Sequence, residues 1–364
     1  MKRLISLLLL IAAVFSLAAC GSDYAPVPST EEESRTLMTF ELEGEKYELK
    51  YELYRALFLN HSTAYDGGDK SFWSKPESAG AKAELEEKII SLALDIFAAL
   101  HLSKKTGYDP YSFDADDRIE EYIKESVEGG SVEGFDGDYD AYLESLKQMN
   151  LNYSVQALLY RYAIAHDKVI AYYRGTDDMD NPTPDMQAGA LEYTEDDVRE
   201  FYNGEDSARV SIIVFNAAYI TRDEVQKRRD KIASYATEDS ALGYAVQFTD
   251  PMGDPEEILE GTVVGKNSLD RAFYSEVASS VFSLSEGETG DVLTVNSENR
   301  TEYWIVYKMA KSSAHLDENL AKIEDVYVYN RIGEITEGVK ASLLASVEYT
   351  ADYEALNLSE IKMN

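Results

Sequence analysis

The chain has 364 residues, enough for two or three domains, and its 45% apolar content with 27 tyrosines implies packed cores rather than a disordered chain. Its formal net charge is −34, from 68 acidic residues against 34 basic ones. That excess repels phosphate backbones and anionic surfaces, so nucleic-acid binding is excluded and basic or cation-bearing partners are favoured.

Lys2 and Arg3 precede an apolar run, Leu4–Phe15, that is shorter than the about 18–20 residues needed to span a bilayer; this is the pattern of a signal peptide. Leu17-Ala18-Ala19-Cys20 follows and resembles a bacterial lipobox. The resemblance implies cleavage after residue 19, a lipid on the Cys20 sulfur, and a lipoprotein held on the extracytoplasmic face of the cell membrane. Buried acyl chains contribute about 0.8 kcal/mol per CH₂, so such an anchor needs no transmembrane helix. Cys20 is the only cysteine. Lipidation consumes it and leaves no disulfide, thiol nucleophile or cysteine-based zinc site. Residues 20–36 are small, polar and acidic, and read as a tether.

Met38–Leu49 alternates apolar and polar residues around Gly44, which predicts a hairpin, with a helix beginning near Tyr51 and a loop over Asp66–Pro76. The strongest helical pattern is Ala81–Lys105, where Leu85, Ile89, Leu92, Ile96 and Leu100 recur at three- and four-residue steps. Ala115–Val127 and Tyr139–Gln148 are shorter helices, and Ser154–Tyr173 is a long one. Its Tyr160, Tyr162, Tyr172 and Tyr173 have two readings, core packing with surface tyrosines or a Tyr-rimmed surface for unfolded chains. Gly175–Pro184 reads as a linker.

Thr194 and Thr221 each open a helix with an acidic residue three positions on. Between and after them the order is strand Ala208–Phe215, a helix to about Tyr235, helix Ser240–Phe248, strand Gly261–Val264, helix Leu269–Phe282, then strands Asp291–Val295 and Glu302–Met309. That order predicts an α+β sandwich with antiparallel strands at its end. The tail carries helical patterns at Leu320–Tyr327, Ile335–Ser346 and Tyr353–Leu358, too few for a core of their own.

No two of the four histidines have ligand or triad spacing. Asp136-Gly137-Asp138-Tyr139-Asp140 begins like a calcium loop but has Ala141 where the turn needs glycine and Lys147 where a glutamate closes the cage. It reads as a solvated acidic loop, as does the group of Asp177, Asp178 and Asp180. No nucleotide, hydrolase or zinc motif occurs, so no metal and no cofactor are expected.

Val281-Phe282-Ser283-Leu284, with Gly287-Glu288 and Asp291-Val292 after it, resembles the F-x-L-x-x-G-E segment of parvulin-type peptidyl-prolyl isomerases; Ala245 with Gln247-Phe248-Thr249-Asp250 resembles another of that family's segments. With a helical N-terminal region, a helical tail and a lipobox, the whole resembles the PrsA-like foldase lipoproteins and, more distantly, the SurA chaperones. Parvulins build their pocket from two core histidines, a Cys or Asp, a Ser or Thr, and an apolar wall for proline. Matched residue by residue, the resemblance sets Ile212 and Trp304 at the histidine positions and Pro251 after the Asp250 pair. It sets Val295 or Thr294 at the hydroxyl, and Phe273 and Val277 on the wall; the glycine stretch survives as Glu260-Gly261 and Gly265. The polar set is exchanged and the wall is partly kept, so no catalytic residue is assigned. Ile212, Phe248, Asp250, Phe273, Val277, Thr294 and Trp304 form the candidate peptide- or proline-binding pocket.

The resulting expectation is an α+β protein: signal peptide 1–19, tether 20–36, helical chaperone-like domain 37–192, parvulin-like domain 193–312, and a helical tail 313–364 packing back on the first domain. The implied function is an extracytoplasmic, membrane-anchored chaperone or foldase whose partners are unfolded or nascent secreted polypeptides. A working prolyl isomerase and a small-ligand-binding lipoprotein stay open as alternatives. The helical faces allow a homodimer without requiring one.

Overall fold

The computed structural model describes residues 24–129, 134–175, 189–248, 255–267, 280–297 and 300–362. It is an α+β protein of two compact units. One, the hairpin unit, comprises residues 1–169 and 336–364; the other, the sheet unit, comprises residues 170–335.

The hairpin unit starts with an extended segment and a short polar box. Thr30 and Glu33 bond each other reciprocally, Thr30 N–H and Oγ1 donating to Glu33 Oε2 and Glu33 N–H donating to Thr30 Oγ1. Arg55 adds an ion pair to Glu33 at 3.2 Å. Strands β1 (Thr36–Leu42) and β2 (Glu45–Lys50) then form an antiparallel hairpin. Its two linking residues, Glu43 and Gly44, both have positive φ (54° and 82°), the conformation whose twist matches that of the flanking strands. A short strand β7 (Glu348–Tyr349) pairs with β1 through Met38 and Thr39.

Helices α1 (Tyr51–Asp66) and α2 (Ala79–Lys105) cover this sheet. The expected loop over Asp66–Pro76 contains a 3₁₀ turn, Lys70–Ser74, and ends at a second, Pro76–Ser78. Leu37, Met38, Phe40 and Leu49 pack with Leu85, Ile89, Phe97 and Leu100 of α2. A satellite cluster joins α3 (Phe113–Glu128), α4 (Tyr139–Gln148) and α5 (Tyr153–Arg174) through Ile119, Ile123, Tyr142 and Ile164. The acidic run before α4 serves as its cap: Asp138 accepts from Ala141 N–H at 3.0 Å. Tyr160 and Tyr162 of α5 pack against the two clusters. Tyr172 is exposed, with its ring 5.2 Å from that of Tyr173.

The sheet unit contains α6 (Glu195–Asn203), β3 (Ser207–Asn216), α7 (Arg222–Ala233), α8 (Glu238–Ala245), α9 (Pro255–Glu260), β4 (Thr262–Gly265), β5 (Leu293–Ser297), β6 (Arg300–Met309) and α10 (Ser313–Glu318). Thr194 with Asp197 and Thr221 with Glu224 form complete capping boxes for α6 and α7, so both starts are locally encoded. The strands form one antiparallel sheet in the order β4-β3-β6-β5. Gly261 lets β4 approach: its φ is +72°, and a Cβ there would meet Met309 Sδ at 2.3 Å and the Val210 carbonyl at 2.9 Å.

The tail differs from its expected form. Leu320–Tyr327 and Ile335–Ser346 are parts of one helix, α11 (Leu320–Leu344), interrupted in sequence by polar Asn330 and by Gly333. Asn330 is buried and satisfied, accepting from Asn267 N–H at 2.7 Å and donating to Glu334 at 2.8 Å. From residue 336 onward the chain belongs to the hairpin unit, where Leu343, Leu358 and Ile361 join the core and Lys340 pairs with Asp95 at 2.7 Å. Among the described residues no helix is long and apolar enough to cross a membrane.

Candidate functional site

Strand parity sorts the four-stranded sheet into two faces. On one, Ile213, Phe215, Ile305 and Met309 pack against α7, α8 and α9 through Val225, Ile232, Leu242 and Ile258. The other carries Ala208, Val210, Ile212, Trp304, Val306, Leu293 and Val295. The two residues matched to histidines meet on this second face. Ile212 pairs with Val306, and Trp304 pairs with Val214, so the two are diagonal neighbours. Both are half-buried in a cluster with Val281, Phe282 and Leu284.

The register also separates the two candidates for the hydroxyl position. Val295 pairs with Glu302 and is buried on the face of Trp304. Thr294 pairs with Tyr303, which sets it on the opposite face, exposed. Of the other candidates, Asp250, Phe273 and Val277 lie outside the described residues, as does most of the expected helix Leu269–Phe282, whose residues 280–282 are helical. Phe248 closes a 3₁₀ turn, Val246–Phe248, and its side chain lies outside the description. Cys20 also lies outside it.

One residue of this face was missed. Glu302 is buried at 7% exposure and accepts a hydrogen bond from Trp304 Nε1 at 2.9 Å. The signal was present in the alternation of Glu302, Trp304 and Val306, which puts a carboxylate on the inner side of β6. Among the described residues the centre of the face is therefore apolar with the buried Glu302 carboxylate beside it, and the indole N–H that could serve an incoming carbonyl already serves Glu302.

The stretch from Val281 to Val292 is built as a brace for β6. Gly287 (φ +83°) turns the chain so that its N–H donates to Lys308 O at 2.7 Å. The Glu288 carboxylate accepts from Ser285 N–H at 2.9 Å, closing the same turn. Gly290 N–H donates to Val306 O at 2.8 Å, and an added Cβ there would meet Ser280 Oγ and Leu284 Cδ1 at 3.2 and 3.3 Å. Arg229 of α7 donates to the carbonyls of Thr289 and Gly290, at 2.7 and 3.0 Å. The glycines and glutamate of the motif thus have structural work that is separate from any chemistry on the sheet face.

In a separate cluster, the unit buries a tyrosine–histidine pair. Tyr202 Oη accepts from Ser312 N–H at 3.2 Å and lies 3.1 Å from His315 Nδ1, with the rings stacked. Burial, reinforced by the charge of Arg209, holds the His315 imidazole below its ordinary pKa. His101 of the hairpin unit pairs with Tyr47 at the same distance, 3.1 Å, and burial pushes its pKa down as well. Among the described residues, no group of three or more His, Cys, Asp or Glu could hold a metal ion.

No protein-family model and no curated protein matches the chain. In architecture it is similar to solved structures of bacterial foldases. The foldase protein PrsA from Streptococcus pneumoniae is 16% identical, with 71% of this chain and 85% of that one covered and a TM-score of 0.31. The peptidylprolyl isomerase PrsA from Bacillus anthracis is 16% identical over 70% of this chain and 96% of that one, with a TM-score of 0.24. PrsA from Bacillus subtilis is 14% identical over 91% and 99%, with a TM-score of 0.23.

Proposed function

We propose that the chain is a lipid-anchored chaperone of the foldase type, acting outside the cell membrane on unfolded or nascent secreted polypeptides. In this reading the hairpin unit holds the client, and the sheet unit carries a parvulin-like domain that grips without efficient turnover. One observation carries the reading: the sheet face offers Ile212, Val306 and Trp304 where an isomerase needs polar groups aimed at a twisting amide. The barrier to peptide-bond rotation is about 18–20 kcal/mol. An apolar face can hold a proline or a hydrophobic side chain, but it supplies little that strengthens as the amide twists. Phe273 and Val277 are the proposed wall of this binding surface, and Cys20 is the proposed anchor.

The test is a refolding assay with a client whose slow phase is proline-limited. The full chain is expected to reduce client aggregation and to leave the slow rate constant unchanged. Trp304→Ala is expected to weaken client protection several-fold. Acceleration of the slow phase by the wild type, lost in Trp304→Ala, would instead establish an isomerase. That second reading has one observation in its favour, the buried Glu302 carboxylate beside the indole. Glu302→Gln separates the two: an isomerase using this carboxylate loses its rate, whereas a non-catalytic grip keeps its client protection.

A further inference from the structure

The hairpin unit contains a cleft of about 740 Å³ beside β2 and the first turns of α5. Glu45 and Tyr47 line it, and so do Lys46 and Glu48. Successive strand residues point to opposite faces, so a cavity lined by both sets runs along the strand's edge. Among the described strands β2 is bonded only to β1. Its second edge, with a row of backbone donors and acceptors, is therefore open to the cleft.

The chain's own Pro26, Val27 and Pro28 also line this cleft. Each proline fixes its own φ near −65° and biases the preceding residue, Ala25 or Val27, to an extended conformation. The segment is held at both ends. The Tyr24 ring lies 5.3 Å from that of Tyr139, whose hydroxyl donates to Ala25 O at 2.8 Å. Ser29 Oγ lies 2.7 Å from Ser154 Oγ and donates to the Glu52 carboxylate. Between these holds, residues 25–28 are exposed on their outer side. A segment with so little buried surface opens at low cost.

We infer that the cleft is a binding site for extended, proline-bearing polypeptide and that Ala25–Ser29 is a displaceable internal occupant competing for it. The chemistry on the page fits that ligand class. Tyr111 offers exposed, flat aromatic surface of the kind that receives proline rings, and the buried Tyr47, Phe97 and Tyr153 line the cleft beneath it. The open edge of β2 offers main-chain hydrogen bonds that ignore the ligand's sequence. Lys46, Lys50, Lys104 and Arg161 outnumber Glu45, Glu48 and Glu52 around the cleft, so a site on this acidic protein accepts segments of either charge. A competitor in the same chain acts at an effective concentration on the order of millimolar, which sets the affinity a free peptide must exceed. The inference rests on the hairpin unit alone and does not need the reading given above for the sheet face.

The test uses the full chain and a fluorescein-labelled peptide with the sequence of Tyr24–Thr30. In the variant Pro26→Asp/Pro28→Asp the internal occupant is disabled, and fluorescence anisotropy is expected to show at least tenfold tighter peptide binding than in the wild type. Tyr111 is 55% exposed, so Tyr111→Ala leaves the fold intact; in the disabled background it is expected to remove most of the gain. Ser29→Ala loosens one hold without touching the prolines and is expected to fall between wild type and the double variant. Equal affinity of wild type and double variant overturns the inference, and so does a gain that Tyr111→Ala leaves untouched. A lower melting temperature of the double variant with no gain in binding also overturns it, because the segment would then be a fixed structural strap.

Discussion

The two units differ in how they would present β-structure to a polypeptide under the readings proposed above. In the hairpin unit the accessible feature is an edge, β2, flanked by tyrosines and by charges of both signs. In the sheet unit the strands that carry Ile212 and Trp304, β3 and β6, are the two central ones, so their edges are satisfied and only a face is left. An edge offers backbone groups and is blind to sequence, whereas a face reads side chains by shape and apolar area. Under the two proposals the difference is a division of labour, in which one unit holds extended, proline-bearing chain largely through its backbone and the other grips greasy or proline side chains on a face.

The strongest way to break this comparison is to damage the sheet alone. Ile305 is fully buried in the cluster that joins β6 to α7 and α8, so Ile305→Ala is expected to cost about 2–5 kcal/mol. The chain's two tryptophans report separately, Trp73 on the hairpin unit and Trp304 on the sheet unit. In a Trp73→Phe background, denaturant titration followed by Trp304 fluorescence should show the full loss. In a Trp304→Phe background, the Trp73 signal should move far less; equal shifts would mean that the two units unfold as one.

Acid provides a second probe. His61 and His101 in one unit, and His315 in the other, are pushed below the ordinary pKa of about 6.5, chiefly by burial. The unfolded chain therefore binds these protons first. The histidine contribution is complete above about pH 6.5 and is lost as the pH falls toward each folded value. Glu33 and Glu45 form a lower window. Burial raises their pKa values, but hydrogen bonds from Thr30 and Asn152 to Glu33, and from Lys104 and Tyr47 to Glu45, bring both below the ordinary range. Their contribution is present above the ordinary carboxylate pKa of about 4.3 and is lost as the pH falls through the folded values. Melting temperatures should drop between pH 7.5 and 5.5. His315→Gln should flatten that drop for the Trp304 signal, and an unchanged slope would remove His315 from the account.

The smallest expected effect tests a local signal. Thr221→Ala removes the side chain that caps α7 and is expected to cost about 1 kcal/mol, read as a shift in the urea midpoint.

Features of this kind were the ones legible in the sequence. Thr221 with Glu224, the Glu43–Gly44 turn region and the β-rich apolar run of β3 each depend on neighbours a few residues away. What the sequence could not reveal depends on distant partners. The pairing of Met38 with Tyr349 spans most of the chain. The continuity of α11 through Asn330 and Gly333 depends on Asn267, which turns an apparent break into a satisfied buried amide. On the candidate face, the family resemblance singled out Ile212 and Trp304, but the choice between Thr294 and Val295 needed the register of β5 against Glu302 and Tyr303.

The reciprocal bonds between Thr30 and Glu33, with Arg55 behind them, have a mechanical consequence. If Cys20 fastens the chain to a bilayer, any tug from the membrane reaches Tyr24–Ser29 before it reaches the folded body. After the holds at Tyr24, Ala25 and Ser29 give way, the threonine–glutamate knot, backed by a cation on α1, is the next place where that load meets resistance. Force would therefore peel the proline segment away and stop there, so that the distance between the protein and its membrane becomes a control on when the neighbouring cleft stands open.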